Sequence, residues 1–152
     1  MRRLPPLLIL LALALAASGC GTDTKAANDY VDAVNKAQTG FAAKFDRLSS
    51  QITSTSTAAQ DRETLDGFRQ AIDKVVTDFR AVKAPDKVKA LHGRLISEIS
   101  GYGKEIDKAK VAFADDDPQA IVKAQADLVS AVTKVQAQIN ATIADINKKL
   151  RE

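Results

Sequence analysis

From Tyr30 onward, apolar residues recur at spacings of three and four. One stripe runs through Tyr30, Val34, Ala37, Phe41, Phe45, Leu48 and Ile52, and a second through Leu65, Phe68, Ile72, Val75, Phe79 and Val82. A third comprises Val88, Leu91, Leu95, Ile99, Tyr102, Ile106, Ala109 and Phe113. The fourth has Ile121, Gln125, Leu128, Val132, Val135, Ile139, Ile143, Ile146 and Leu150, with Gln125 its single polar member. Steps of three and four return a side chain to one face of a helix, and the strict alternation that marks a strand never persists. The pattern predicts four amphipathic helices and no sheet.

The interruptions carry their own chemistry. Ser54-Thr55-Ser56-Thr57 breaks the first stripe, and Thr57 followed three places later by Gln60 fits a capping box. Ala84-Pro85-Asp86 separates the second stripe from the third, with Pro85 expected at the first helical position, where its missing N–H costs nothing. Asp115-Asp116-Asp117-Pro118 separates the third from the fourth, with Asp117 a natural N-cap. Lys148, Lys149 and Arg151 close the last stripe, where cations suit the negative end of a helix. Helices of about 26–33 residues, roughly 40–50 Å long at 1.5 Å per residue, are expected. Matched lengths and short connections make neighbours antiparallel, so the expected fold is all-α, an up-down-up-down four-helix bundle, with two separate helical hairpins as the alternative. Gly101-Tyr102-Gly103 falls inside the third helix, where each Gly costs about 1 kcal/mol against Ala. Two readings are open: a kink that opens a pocket lined by Ile99, Tyr102 and Val132, or close packing against a neighbouring helix.

The amino terminus follows a different rule. Met1-Arg2-Arg3 is cationic, Leu7 to Ala17 is an uncharged apolar run, and Ala17-Ser18-Gly19 are small. That order is a secretory signal, and its apolar run is too short for a spanning helix, which needs about 20 residues. Ala17-Ser18-Gly19-Cys20 resembles the lipobox of bacterial lipoproteins, although Ala17 stands where that family usually has Leu. The resemblance implies a signal peptide over 1–19, a single mature domain over 20–152, and a diacylglyceryl group with palmitate-type acyl chains on Cys20. It also implies a place on the extracytoplasmic side of the cell membrane. Ordinary secretion, with Cys20 a free thiol, is the competing reading.

Charge and composition then exclude several classes. The chain has 22 Lys and Arg against 19 Asp and Glu, and removing Arg2 and Arg3 with the signal leaves an excess of one cation. A nearly neutral domain without Trp and with 5% aromatics offers nothing to nucleic acid. One Cys forms no internal disulfide. His92 is the only histidine, and Lys89 stands three places before it, so neither a Cys/His metal cluster nor the Glu-x-x-His pairs of di-iron bundles can be assembled. No Gly-rich phosphate loop or nucleophile elbow is present. No enzyme activity, metal or cofactor is therefore expected. His92, beside the third stripe, reads either as a ligand or pH-sensitive contact or as a half-buried flank residue with an ordinary hydrogen bond. Asp115, Asp116 and Asp117 read either as a cation site or, more simply, as a solvated loop that caps the fourth helix.

An up-down bundle would gather Lys25, Arg80, Lys83, Lys87, Lys89, Lys148, Lys149 and Arg151 at the end nearest Cys20. Asp61, Glu63, Asp66 and Asp115–Asp117 would gather at the other. Cations held near an anionic membrane surface contribute about 1 kcal/mol each, so the basic end reads either as a contact for anionic lipid headgroups or as charges that simply suit helix ends. Through the lipobox and its Ala/Lys/Asp-rich helices, the chain is similar to small all-helical actinobacterial lipoproteins, a resemblance that implies location and no activity. The functional expectation is a lipid-anchored, non-enzymatic interaction or structural module of the cell envelope with a protein partner. The alternative is a binding protein that holds an apolar small molecule or lipid between its helices.

Overall fold

The computed structural model describes residues 22–51, 57–114 and 117–152. Cys20, the signal segment, Ile52, Asp115 and Asp116 lie outside the described residues. Four helices follow one another: α1 (Thr22–Ser49), α2 (Ala58–Ala81), α3 (Lys89–Ala114) and α4 (Pro118–Arg151), with a 3-10 turn at Asp86–Val88 leading into α3. There is no strand among the described residues, and the protein is an all-α four-helix bundle.

Local chemistry sets the helix ends. The Thr57 hydroxyl accepts from the Gln60 amide at 3.3 Å while Gln60 Oε1 accepts from the Thr57 amide at 2.8 Å, a complete capping box at the start of α2. Asp117 Oδ1 accepts from the Gln119 amide at 2.9 Å, with Pro118 at the first position of α4. Pro85 departs from its expected place. It is the cap of the 3-10 turn, with φ −56° and ψ 146°, and its carbonyl accepts from the Val88 amide at 3.0 Å. The chain is already extended at Val82, whose amide donates to the Phe79 carbonyl at 3.0 Å, so α2 stops at 24 residues, short of the expected range. α4 runs to 34 residues, one beyond it.

Contacts between helices show the antiparallel order. Phe45 of α1 meets Phe68 of α2 with ring centroids 4.8 Å apart. Along α2 and α3, Arg69 Nε donates to Asp107 at 3.0 Å, Lys110 pairs with Asp66, and Arg62 donates to the Phe113 carbonyl at 3.0 Å. Along α3 and α4, the fully buried Thr142 hydroxyl donates to Glu98 Oε1 at 3.0 Å, which also accepts from Arg94 Nε at 2.9 Å. Three helix carbonyls near C-termini are taken by side chains from elsewhere in the bundle. His92 bonds the Phe79 carbonyl of α2, Arg62 that of Phe113 in α3, and Lys87 that of Leu150 in α4. Those of Phe113 and Leu150 are acceptors of the kind a helix end leaves free, while the Phe79 carbonyl also accepts from the Val82 amide at 3.0 Å.

The core is one cluster. Val34, Ile72, Phe79, Val88, Leu95, Ile106, Ile143 and Ile146 are at most 1% exposed. Among the described residues, the buried apolar side chains run from Ala27 to Leu150. Burying each such side chain contributes about 1.5–3 kcal/mol. Three neighbouring helix pairs are packed along their lengths: α1 with α2, α2 with α3, and α3 with α4. α1 and α4 do not pack in that way. Their apolar faces meet the shared core at one end through Ala27, Tyr30, Ile146 and Leu150, whereas Phe41 and Phe45 of α1 and Ile139 of α4 remain half-buried.

Candidate functional site

The unpaired α1–α4 seam forms a half-open cleft over the α2–α3 floor, with a cavity volume of about 110 Å³. Phe41 and Phe45 come from α1, Val75 and Phe79 from α2, Leu95, Ile99 and Tyr102 from α3, and Val132, Val135, Ile139 and Ile143 from α4. The helical period brings these residues inward; the separation of α1 from α4 leaves them without a complete set of neighbours. The cavity volume is below the roughly 300–1,000 Å³ of sites for drug-sized ligands and nearer the ~150 Å³ that accepts one benzene.

Polar groups are few. Gln38 and Asp46 of α1, Gln136 of α4 and the Tyr102 hydroxyl line the cleft. The Tyr102 ring packs against Phe45 at 6.4 Å between centroids, and burial raises its phenol above the ordinary range, so it stays a neutral donor. No lysine, arginine or histidine is among the lining residues.

The glycine motif sits beside this cleft without forming it. Ile99, Tyr102 and Val132 line the cavity as expected, but Gly101 and Gly103 do not. α3 runs as one helix through both. Gly103 is buried in close packing: a Cβ there would lie 3.0 Å from Arg69 Nη1. Gly101 has open space on that side.

His92 is buried, at 7% exposure, rather than half-buried on a flank. Its Nε2 lies 2.9 Å from the Phe79 carbonyl and its Nδ1 3.1 Å from the Tyr30 hydroxyl. A carbonyl only accepts, so Nε2 carries the proton and Nδ1 accepts from Tyr30. Desolvation holds the imidazole below its ordinary pKa, with the Phe79 bond opposing, and pushes the Tyr30 phenol up to about 12. The histidine thus ties α1, α2 and α3 together. Its bond to Phe79 crosses from α3 to α2, a relation that local spacing does not reveal.

Asp117 serves as the α4 cap, and among the described residues no three His, Cys, Asp or Glu side chains converge as a metal site requires. Of the cations gathered at the basic end, Lys25 pairs with Asp29, Lys149 with Glu152, and Lys87 holds the Leu150 carbonyl. Arg80, Lys83, Lys89, Lys148 and Arg151 are exposed and outside the ion pairs of the described residues. Among the described residues no helix is long and apolar enough to cross a membrane. Set against family models, curated proteins and solved structures, the chain matches none.

Proposed function

We propose that this chain is a bacterial lipoprotein, tethered to the extracytoplasmic side of the cell membrane through a diacylglyceryl group on Cys20, whose helical domain holds a slender apolar molecule without transforming it. The observation that carries the binding reading is the α1–α4 cleft: aromatic and aliphatic side chains from four helices surround a cavity left by the one neighbouring pair that does not pack. Convergent apolar walls with a few polar groups are the usual makeup of a small-molecule site. A linear chain suits the narrow volume, and the half-open side lets it extend beyond the cavity.

The tether rests on Ala17-Ser18-Gly19-Cys20 after an export-type segment. Headgroup contact is supported by the exposed cations Arg80, Lys83, Lys89, Lys148 and Arg151, which belong to the ends of α2 and α4 and the entry to α3. A second reading, an interaction module for a protein partner, is favoured by Val111 and Val122, which are 67% and 47% exposed on α3 and α4.

The test is native mass spectrometry of the protein extracted from membranes of cells fed an alkyne-tagged palmitate. The reading expects the tag on the wild-type chain and not on Cys20→Ala, and a retained small-molecule mass on the folded domain. An untagged wild-type chain overturns the tether, and a clean apo mass together with no uptake of an apolar probe overturns the binding site.

A further inference from the structure

The polar lining of the cleft specifies more than an apolar ligand. Gln38 and Asp46 stand on the α1 side and Gln136 on the α4 side, each half-buried or exposed, so they mark the open mouth. The Tyr102 hydroxyl adds a polar group from α3. None of these four makes a hydrogen bond to another side chain of the described residues. The set therefore offers amide and hydroxyl groups that can bond an uncharged polar end. Asp46 is the single charged side chain of the lining, it is negative, and it has no ion-pair partner among the described residues.

Charge decides the ligand class. A carboxylate or phosphate at the mouth would find no cation among the described lining groups and would share the α1 side with Asp46. A like charge nearby disfavours an anion, and no opposite charge among the described lining residues offsets it. A hydroxyl, ester or amide end finds donors and acceptors in Gln38, Gln136 and Tyr102. The narrow volume admits one chain and excludes the paired chains of a membrane phospholipid.

We propose that the cleft is selective for uncharged single-chain amphiphiles, the monoacylglycerol or long-chain alcohol class. Their chain lies against Phe41, Ile99 and Ile139, and their polar end sits at Gln38 and Gln136. Asp46 is the residue that rejects acidic lipids. This inference rests on the binding reading above and adds the identity of the ligand's polar end.

The experiment uses the chain from residue 20 onward carrying Cys20→Ser, with the uncharged fluorophore N-phenyl-1-naphthylamine as probe at pH 8. Displacement is measured by dodecanol, 1-monolaurin and dodecanoate below their aggregation limits. Dodecanol and monolaurin are expected to displace the probe at concentrations at least tenfold lower than dodecanoate. Asp46→Lys, a charge reversal at an exposed position, is expected to lower the dodecanoate-to-dodecanol concentration ratio severalfold. Equal displacement by dodecanol and dodecanoate, or an unchanged ratio in Asp46→Lys, overturns the selectivity and leaves the binding reading standing. Failure of the probe to bind a chain that is helical by circular dichroism overturns both.

Discussion

His92 donates from Nε2 to the backbone carbonyl of Phe79 at 2.9 Å, and this bond orients the ring so that Nδ1 faces the Tyr30 hydroxyl at 3.1 Å. The neutral tautomer is the one this pocket fits. Protonation would turn Nδ1 from acceptor to donor, reversing the bond with the Tyr30 hydroxyl, and would place a charge among buried apolar groups. The folded-state pKa is lowered, so at pH values between it and the unfolded value of about 6.5 the unfolded chain binds more protons than the folded one. Stability from this group is therefore complete above about pH 6.5 and is lost as pH falls through the folded pKa. Urea unfolding at pH 7.5 and pH 5 is expected to show lower stability at pH 5, and His92→Gln is expected to reduce that difference. A pH dependence unchanged in the variant would assign it to other groups.

Truncating the same residue tests its structural weight. His92→Ala leaves the Tyr30 hydroxyl buried without its acceptor and opens a void, at a cost of about 2–4 kcal/mol. Tyr30→Phe removes only the hydroxyl and costs about 1 kcal/mol. The double variant is expected to cost less than the sum, because the two share one bond. Denaturant midpoints of the four chains measure that coupling.

Gly101 and Gly103 differ in what surrounds them, and their alanine variants should separate accordingly. Gly101→Ala adds a methyl in open space within a helix and is expected to stabilise by about 1 kcal/mol. At Gly103 the methyl meets the Arg69 guanidinium, which is held by Asp73 and Asp107. The helix gain there is offset by displacing that group, so Gly103→Ala should be neutral or destabilising. Thermal midpoints are expected to move up by about 2–6 °C for Gly101→Ala and not for Gly103→Ala.

The helices are legible in the sequence because their boundaries are chemical: Thr57 with Gln60 and Asp117 with Pro118 form the caps their residue types suggest. Pro85 misleads by one step, since a proline can open a 3-10 turn through its carbonyl as well as occupy a first helical position. The cleft is only half legible. Phe41, Phe45 and Ile139 carry the same periodicity as the buried Tyr30 and Ile143, yet they are half-buried. Periodicity reports which face of a helix is apolar; whether that face finds a partner depends on how all four helices settle together. The Gly101–Gly103 motif points to the right stretch of α3 for another reason, as Ile99 and Tyr102 beside it line the cavity. His92 was visible as a lone titratable group, but its acceptor comes from a different helix.

At the α3–α4 contact, Thr142 is fully buried and donates to Glu98, a carboxylate whose second oxygen has no hydrogen-bond partner. Thr142→Val keeps the shape and removes the donor. A hydrogen bond to a charged group contributes about 1.5–3 kcal/mol, so a loss of that order is expected. Thr142→Ser keeps the hydroxyl and should lose less, only the burial of one methyl. Urea unfolding of the two variants distinguishes a hydrogen bond from simple packing.

The cleft makes stability and binding pull in opposite directions at one position. Val135 lines the cavity and is half-buried, so a larger side chain there can grow into space already present. Val135→Phe is expected to stabilise the chain by about 0.5–2 kcal/mol, as cavity filling commonly does. The same ring occupies volume an acyl chain would need, so binding of the apolar fluorophore should fall at least tenfold. A variant that merely damaged the fold would lose stability and binding together. Denaturant unfolding and probe titration on one preparation separate these outcomes. Greater stability with undiminished probe binding would show that the fluorophore sits elsewhere than between α1 and α4.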